Sequence, residues 1–384
     1  MYIHKLNQLL KKKIAIIGAG IGGLTLANLL QNNSKFEFIV YEKRETLNLE
    51  EGFGIQLAVN SVSILNQIGL RSLSKSEIYN PIKLDFYSDE DKICDLDLTQ
   101  FNSETEKYTT LRRSSLIKFL KDKLFLNFIR FNKTIESVKQ DQDTTTVNFK
   151  DGSSEEVDYL VVSDGVFSQT KSIIEKKDFT PSYYGAVAIR TQIKAKNVSE
   201  FKTENISIFM SSMAHLVLYP VNGSGDINLV CILRKNINEK KSIEHLLNKK
   251  FSNKNKYLSR LLNGDSKTWS IYTSPKPIKS NLKNVFYIGD AFYTSPPTLA
   301  QGASQSIESA KELYDLLNEN EQNIENIYFE KRLKKTIMIK NRSRLNYFVF
   351  HFSNPVLKIF RNQFLKRLIK SERFINKYLG KIYK

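Results

Sequence analysis

Cysteine is nearly absent from this chain of 384 residues. Its two cysteines, Cys94 and Cys231, stand far apart and form no C-x-x-C pair and no metal-ligand spacing, which excludes a disulfide framework and a zinc site. Long apolar runs are missing too. No stretch approaches the roughly 18 to 20 continuous apolar residues of a spanning helix. The apolar share of 41% and the mean hydropathy of −0.35 still allow an ordinary soluble core. The opening residues, MYIHKLNQLLKKK, lack the apolar stretch and small-residue cleavage site of a secretory signal, so a cytoplasmic protein is expected. Acidic residues almost vanish at the other end: from Lys331 to Lys384 there are 16 Lys and Arg against one acid, Glu372, which carries most of the net charge of +18. Such a balance suits nucleic acid, an anionic membrane surface, acidic substrates or a merely solvated helical face. No nucleic-acid-binding motif or base-stacking aromatic platform accompanies it, so nucleic acid is not an expected partner. No internal repeat or low-complexity linker is present.

The residues from Lys13 to Glu42 form the first readable unit. Ile14–Gly18 is a short apolar, β-branched run suited to a buried parallel strand. Leu24–Gln31 has helical spacing, and Phe36–Glu42 reads as a second strand, giving a right-handed βαβ unit. Between strand and helix lies Gly18-Ala19-Gly20-Ile21-Gly22-Gly23, a G-x-G-x-x-G turn. Gly18 permits the tight turn, Gly20 removes a side chain where backbone would meet a pyrophosphate, and Gly23 allows close helix–strand packing. Glu42 follows 19 residues after Gly23. Its carboxylate can accept hydrogen bonds from adenosine ribose hydroxyls and would repel a 2′-phosphate. The motif alone does not separate FAD from NAD, and a glycine-rich turn without a ligand is the plainer reading.

Further along, a helix is expected after Asn60, ending near Gly69, and another over Leu111–Leu124. Thr144–Gly165 reads as a hairpin of two strands around Asp151-Gly152. The region from Pro181 to Tyr272 reads as mostly β-sheet. Val285–Asp290 is a buried strand again, followed by the turn Pro296-Pro297-Thr298-Leu299-Ala300-Gln301-Gly302-Ala303 and a helix to about Asn318. The Gly-Asp after a buried strand can place a carboxylate on a sugar-like hydroxyl. The helix start after Gln301-Gly302 can face an anionic ring oxygen.

This last stretch resembles the GDAAH…P…GQG…IEDA signature of the single-component (group A) FAD-dependent monooxygenases, the family of salicylate and hydroxybenzoate hydroxylases. Asp158–Ser168, with Asp164-Gly165, resembles the family's strand ending in DG. Arg113 with Leu116 resembles its R-x-x-L helix. Gly54–Leu57 with Asn60, Tyr184-Gly185 with Arg190, and Tyr219-Pro220 resemble further landmarks in order. The resemblance covers about residues 13 to 310. It departs at Tyr293, where the family has His, at Ala300, where it has Gly, at Ser163, and at Lys171, where Arg is common.

The resemblance implies an α/β fold: a Rossmann-like FAD-binding domain with an inserted, mostly β-sheet substrate domain and a C-terminal helical segment. The expected division is 1–72, 101–180 and 276–320 for the discontinuous FAD-binding domain, 73–100 and 181–275 for the substrate domain, and 321–384 for the basic C-terminal segment. It implies FAD, with NADH or NADPH as transient co-substrate since no second glycine-rich motif is visible. O2 would react through a C4a-hydroperoxyflavin to hydroxylate or epoxidise a small aromatic substrate. Cofactor contacts would come from Gly18, Gly20, Gly23, Glu42, Arg113, Asp164, Asp290, Pro297, Gly302 and Ala303. Asp290 would hold the ribityl chain, Pro297 would shape the wall near C4a, and the helix start at Gly302-Ala303 would stabilise charge at flavin N1/O2. His215 is the candidate general base for a phenolic substrate, with Gln301 as a hydrogen-bond donor. The plainer reading of His215 is a strand histidine facing solvent or satisfied in the sheet. Of the other histidines, His4 precedes the first strand, His245 reads as part of a surface helix, and His351 lies in the C-terminal segment. After Asn354-Pro355, which open a helix, Leu357, Phe360, Phe364 and Leu368 recur at helical spacing among basic residues. The stripe is expected to pack on the main body, with peripheral contact to anionic lipid as the sharper alternative. The rivals are an FAD-dependent reductase of a prenyl-chain substrate on the same scaffold and a non-catalytic binding protein. A flavin halogenase is excluded because its W-x-W motif cannot be built from one tryptophan, Trp269.

Overall fold

In a computed structural model of the protein, which describes residues 11–383 apart from 48, 50–52, 90, 126, 199–201, 240–241, 243–244, 247–261, 263–265 and 320, Lys12–Ile17 is the middle strand of a five-stranded parallel sheet. The order is Val285–Tyr287, Tyr159–Val162, Lys12–Ile17, Phe36–Tyr41, Ile129–Arg130. Its central strands carry near-continuous apolar runs, Ile14–Ile17, Phe38–Tyr41 and Tyr159–Val162, because both faces are covered there. Ile14, Ile16 and Val40 pack into one core with the helices, while Ala15, Ile17 and Tyr41 pack on the opposite face against Val147 and Phe149 of a small antiparallel sheet. Each buried Ile, Val or Phe among them contributes about 1.5–3 kcal/mol.

The main helices are α1 (Ile21–Leu30), α2 (Val59–Ile68), α3 (Arg113–Asp122), α4 (Gln169–Glu175), α5 (Gly302–Glu319), α6 (Ile324–Phe350) and α7 (Pro355–Ile369). A second, seven-stranded sheet runs Lys267–Thr273, Ser182–Lys194, Asp226–Arg234, Ala214–Pro220, Ile206–Ser211, Lys83–Ser88, Asp91–Asp97. It is antiparallel except where Ile206–Ser211 runs parallel to Lys83–Ser88. Alternation along its strands gives it two faces. Phe209, Leu216, Leu218 and Leu229 fill one core. Ile206, Ile208, Met210 and Tyr219 face the C-terminal helices.

Several boundaries differ from the sequence expectation. The hairpin at Asp151-Gly152 forms, but its second strand stops at Val157, and Tyr159–Val162 joins the parallel sheet instead. Leu111 and Arg112 end a strand, so α3 starts only at Arg113. Asn60 lies inside α2 and binds Glu308 rather than preceding the helix, and Gly69 closes α2 in the left-handed conformation that glycine tolerates. Asn354 caps α7 by accepting from the Val356 and Leu357 N–H groups. The apolar stripe of α7 does not pack as expected: Leu357, Phe360 and Phe364 are 46%, 69% and 63% exposed. The inward residues are Leu365 and Ile369, which meet the core beneath the seven-stranded sheet. His4 lies outside the described residues, and His245 is exposed.

Candidate active site

A groove of about 410 Å³ opens at the carboxyl ends of Lys12–Ile17 and Phe36–Tyr41, the side of a parallel sheet where ligands bind. Gly18, Gly20, Glu42, Arg113, Asp164 and Asp290 line it. Gly18 has φ +102°, and a Cβ there would sit 2.6 Å from the Ser163 carbonyl oxygen, so no other residue fits the crossing. Gly20 caps α1 with open space above it, its nearest neighbour 4.0 Å from a built Cβ. Gly23 is buried away from the groove, where a Cβ would come within 2.1 Å of the Gly18 carbonyl oxygen; its part is helix–strand contact. Glu42 accepts from the Ala19 and Arg44 N–H groups, both at 3.0 Å, which fixes its carboxylate beside the turn. Asp164 accepts from the Thr170 N–H through Oδ2, while buried Oδ1 has no hydrogen-bond partner among the described residues. Lys171 is buried beneath it and donates to the Ala291 carbonyl at 2.7 Å, tying α4 to the Asp290 turn; burial lowers its pKa against the pull of Asp164 and Glu175.

A larger cavity of about 830 Å³ lies between the seven-stranded sheet, the turn Gly289–Ala303 and the C-terminal helices. Asp290 lines both spaces, so groove and cavity meet at its side chain. Burial pushes its carboxyl up to about 6, against the lowering influence of Thr294 and Arg113. Pro297, Gln301, Gly302 and Ala303 border the cavity, and a Cβ on Gly302 would meet nothing within 4 Å. The start of α5, where the first N–H groups have no partner within the helix, therefore borders the cavity. Ala300, just before, has φ +52°, the left-handed backbone that explains a glycine preference at this place.

Two polar systems wall the cavity. Gln301 is buried with Nε2 unpartnered among the described residues, while its Oε1 accepts from Gln305 at 3.2 Å. Gln305 Oε1 in turn accepts from buried Arg332 at 2.7 Å, and Arg332 pairs with Glu312 at 3.2 Å. Opposite, His215 and Tyr219 point from alternate positions of one strand into the cavity, and Arg190 joins them from Ser182–Lys194. His215 Nδ1 lies 2.8 Å from Nε2 of His351, at the end of α6. Burial pushes the His215 pKa down to about 3, so the ring is neutral near neutral pH. Tyr108 donates to Gln56 Oε1 at 2.9 Å.

A family model described as an FAD binding domain matches residues 11–323. The chain belongs to this family of FAD-binding proteins. It is 25% identical over 342 residues to 3-amino-4-hydroxybenzoate 2-monooxygenase of Streptomyces cremeus, covering 86% of each chain. It is 25% identical over 325 residues to 6-hydroxynicotinate 3-monooxygenase of Pseudomonas fluorescens, covering 80% of this chain and 83% of the relative. Among solved structures it shares its fold with Klebsiella pneumoniae HpxO complexed with FAD and uric acid, at TM-score 0.83, 20% identity and 98% coverage of both chains. A salicylate hydroxylase substrate complex matches at TM-score 0.75 and 18% identity, with 97% of each chain covered. The protein is a flavin-dependent monooxygenase that uses FAD and NAD(P)H.

The residues of the monooxygenase fit FAD. The turn leaves open space at Gly20, and two buried polar atoms, Asp164 Oδ1 and Gln301 Nε2, have no partner among the described residues in the two spaces that Asp290 joins. When bound, FAD supplies the redox chemistry that delivers oxygen to substrate. Of the residues singled out from sequence, six meet in the groove and His215, Gln301, Pro297, Gly302 and Ala303 in the cavity, with Asp290 common to both. Sequence reasoning gave no site role to His351, Arg332 or Gln56, the last inside the Gly54–Leu57 landmark. The first two carried no motif, and their signal was only that a histidine and an arginine are rarely buried without a partner.

Proposed function

We propose that the monooxygenase hydroxylates a small aromatic acid carrying a phenolic hydroxyl. The observation that carries this is one cavity holding His215, Arg190 and the start of α5 together. The two relatives named above act, by their names, on a hydroxybenzoate and a hydroxynicotinate, both aromatic acids. Arg190 makes no ion pair with a carboxylate among the described residues, and a guanidinium at that wall is suited to a substrate carboxylate. His215, kept neutral by burial, accepts the phenolic hydroxyl's hydrogen bond and orients it, with His351 fixing the ring. Gln301 donates to the substrate. Gly18, Gly20, Glu42, Arg113 and Asp164 hold the dinucleotide, with Gly23 supporting their turn. Asp290 takes the ribityl hydroxyls, Pro297 shapes the wall, and Gly302 and Ala303 offer N–H groups to the ring's anionic edge. Residues 73–100 and 181–275 form the substrate domain in this reading. The test is oxygen uptake and NAD(P)H oxidation by the purified holoprotein with a panel of hydroxybenzoates and hydroxynicotinates, with product mass measured. A gain of about sixteen mass units supports the reading, as flavin oxygen chemistry requires. NAD(P)H-dependent loss of a C=C bond without oxygen uptake would favour the reductase.

A second reading concerns the surface on which the enzyme works. Among the described residues no helix is long and apolar enough to cross a membrane. Phe348, Val356 and Ile359 are exposed, and Lys366, Arg367 and Lys370 are exposed beside them. Apolar side chains rimmed by cations suit an anionic lipid surface. Flotation with phosphatidylcholine vesicles, with and without phosphatidylglycerol, tests this. Co-flotation confined to anionic vesicles and weakened by salt supports it, and recovery in the protein-only fraction throughout overturns it.

A further inference from the structure

The cavity beside the flavin end is polar on one side only. Beyond His215 and Gln301 it continues between α6, α7 and the seven-stranded sheet, where its walls are mostly apolar. Val349 comes from α6, and Leu357, Phe360, Phe364, Leu365 and Leu368 come from α7. Arg361 also borders this part; its Nη2 donates to Ser88 Oγ at 2.7 Å and its Nε to Asn362, while buried Nη1 has no hydrogen-bond partner among the described residues. The whole space is about 830 Å³; the flavin ring end takes the part beside Pro297, Gly302 and Ala303, and the apolar part between α7 and the sheet extends beyond it. Leu357, Phe360 and Phe364 line this space and are largely exposed, so a row of large apolar side chains on a well-capped helix stands around an open mouth instead of packing. Leaving such residues wet forgoes the gain that burial gives everywhere else in the fold. The sheet opposite is apolar as well, with Ile208, Met210 and Ile232 facing in.

We infer that the substrate of this site is amphiphilic: an aromatic head carrying a long apolar arm, an alkyl, acyl or prenyl chain, with the arm lying between α7 and the seven-stranded sheet. The inference rests on the proposed hydroxylation of an aromatic head, and it names what the head is attached to. The head meets Arg190, His215 and Gln301, where polar partners are available. The arm covers Leu357, Phe360, Phe364 and Leu368. The direction is set by the cavity itself, because Arg190, His215 and Gln301 gather toward the flavin end and the exposed apolar row Leu357, Phe360 and Phe364 stands at the mouth.

The experiment titrates FAD-loaded enzyme with 4-alkylphenols from methyl to nonyl, below their aggregation limits. Binding is read by calorimetry and by perturbation of the flavin absorbance, both independent of turnover. Affinity is expected to rise about fourfold per added methylene over several carbons, the gain that burying each CH2 gives. Phe364→Asp and Leu368→Asp should flatten that series while leaving 4-methylphenol binding and flavin content unchanged. Phe364 is exposed, so its variant keeps the fold, which circular dichroism verifies. A flat or falling series overturns the inference, as does a series the two variants leave intact. A dimer in sedimentation that buries α7 and persists with nonylphenol also overturns it, because a second copy then covers the face. Chain-length-dependent binding without oxygenation of any aromatic would retire the hydroxylation and keep the amphiphile. Hydroxylation of short aromatic acids with a flat series would do the reverse.

Discussion

His215 Nδ1 and His351 Nε2 lie 2.8 Å apart, joining a sheet strand to the end of a helix 136 residues further along the chain. One of these nitrogens carries the shared proton, and the bond fixes the orientation of the ring that faces the cavity. Both rings are buried, and His215 also meets the Phe350 edge at 5.4 Å. The pair therefore sets the geometry of the candidate base through a residue outside the substrate sheet.

The first prediction concerns acid stability. Burial lowers the His215 pKa to about 3 from 6.5, so the unfolded chain binds a proton there that the folded chain refuses. Stability contributed by keeping this ring neutral is complete above pH 6.5 and is lost as pH falls toward 3. His215→Phe should remove about one proton from the pH dependence of unfolding, or about 1.4 kcal/mol per pH unit in that window. Urea unfolding at pH 4.5, 5.5 and 7 measures it, and equal slopes for both proteins would refute the buried neutral ring. His351→Gln, which keeps a hydrogen-bonding group, should retain more activity than His351→Ala.

The turn before α5 carries a strained residue. Ala300 sits at φ +52° with its N–H bonded to the Pro297 carbonyl, so the backbone is held left-handed by the turn and not by the side chain. Ala300→Gly relieves the Cβ clash but adds freedom to the unfolded chain. The net expectation is a gain of roughly 0.5 to 1 kcal/mol, measured by chemical denaturation. A loss of stability would mean that the methyl group packs usefully into the cavity wall.

The glycine turn tests packing separately from phosphate contact. Gly23→Ala places a carbon 2.1 Å from the Gly18 carbonyl oxygen, a backbone atom that cannot swing aside. Overpacking of this kind costs about 1–3 kcal/mol, and here it distorts the FAD turn directly. The variant should purify with much reduced flavin content. A fully yellow Gly23→Ala protein of parental stability would show that α1 can shift outward.

How much of this was legible in the chain follows from distance along it. The unit from Lys13 to Glu42 and the loop from Tyr287 to Ala303 encode their geometry within about 30 residues or fewer, through glycine spacing and apolar runs; the first formed as read, and in the second the strand expected to reach Asp290 stops at Tyr287, with Gly289–Ala291 a 3-10 turn. Asp290 joins groove and cavity because a strand end forces it there. His351 and Arg332 could not be read this way. Their partners, His215 and Gln305, are brought to them only when α6 crosses the sheet and α5, and α6 has no sharp apolar stripe to announce which residues turn inward. The α7 stripe misled for a related reason. Helical spacing identifies a face but not what covers it, and Leu357, Phe360 and Phe364 border an open cavity.

Arg190 yields the prediction most specific to substrate class. A charge-assisted hydrogen bond to a carboxylate is worth about 1.5–3 kcal/mol, so Arg190→Met should raise KM for an aromatic acid by roughly 10- to 100-fold. The change in kcat should be small, because the interaction is made equally in ground and transition states. Phenols without a carboxylate should show little change. Steady-state oxygen uptake with matched acid and phenol substrates checks this, and an equal loss for both would assign Arg190 to the sheet and not to the substrate.

Asp290 gives opposite effects with and without cofactor. Its folded carboxyl titrates near 6 against an ordinary 3.8, because burial disfavours the charge more than Thr294 and Arg113 favour it. The unfolded chain therefore releases its proton first, and stability of the FAD-free protein declines as pH rises from about 4 to 6, then levels. Asp290→Asn removes the charge that burial penalises, so the FAD-free variant should exceed the parent by roughly 1–3 kcal/mol at pH 7.5 and match it below pH 4. In the loaded enzyme the same change deletes a carboxylate acceptor facing the groove. FAD affinity should then fall by about tenfold or more, the worth of a hydrogen bond to a charged group. Urea unfolding of the FAD-free protein and fluorescence titration with FAD separate the two effects. A variant that gains stability and binds FAD as tightly as the parent would show that the Asp290 carboxylate, though it stands where groove and cavity join, does not touch the cofactor.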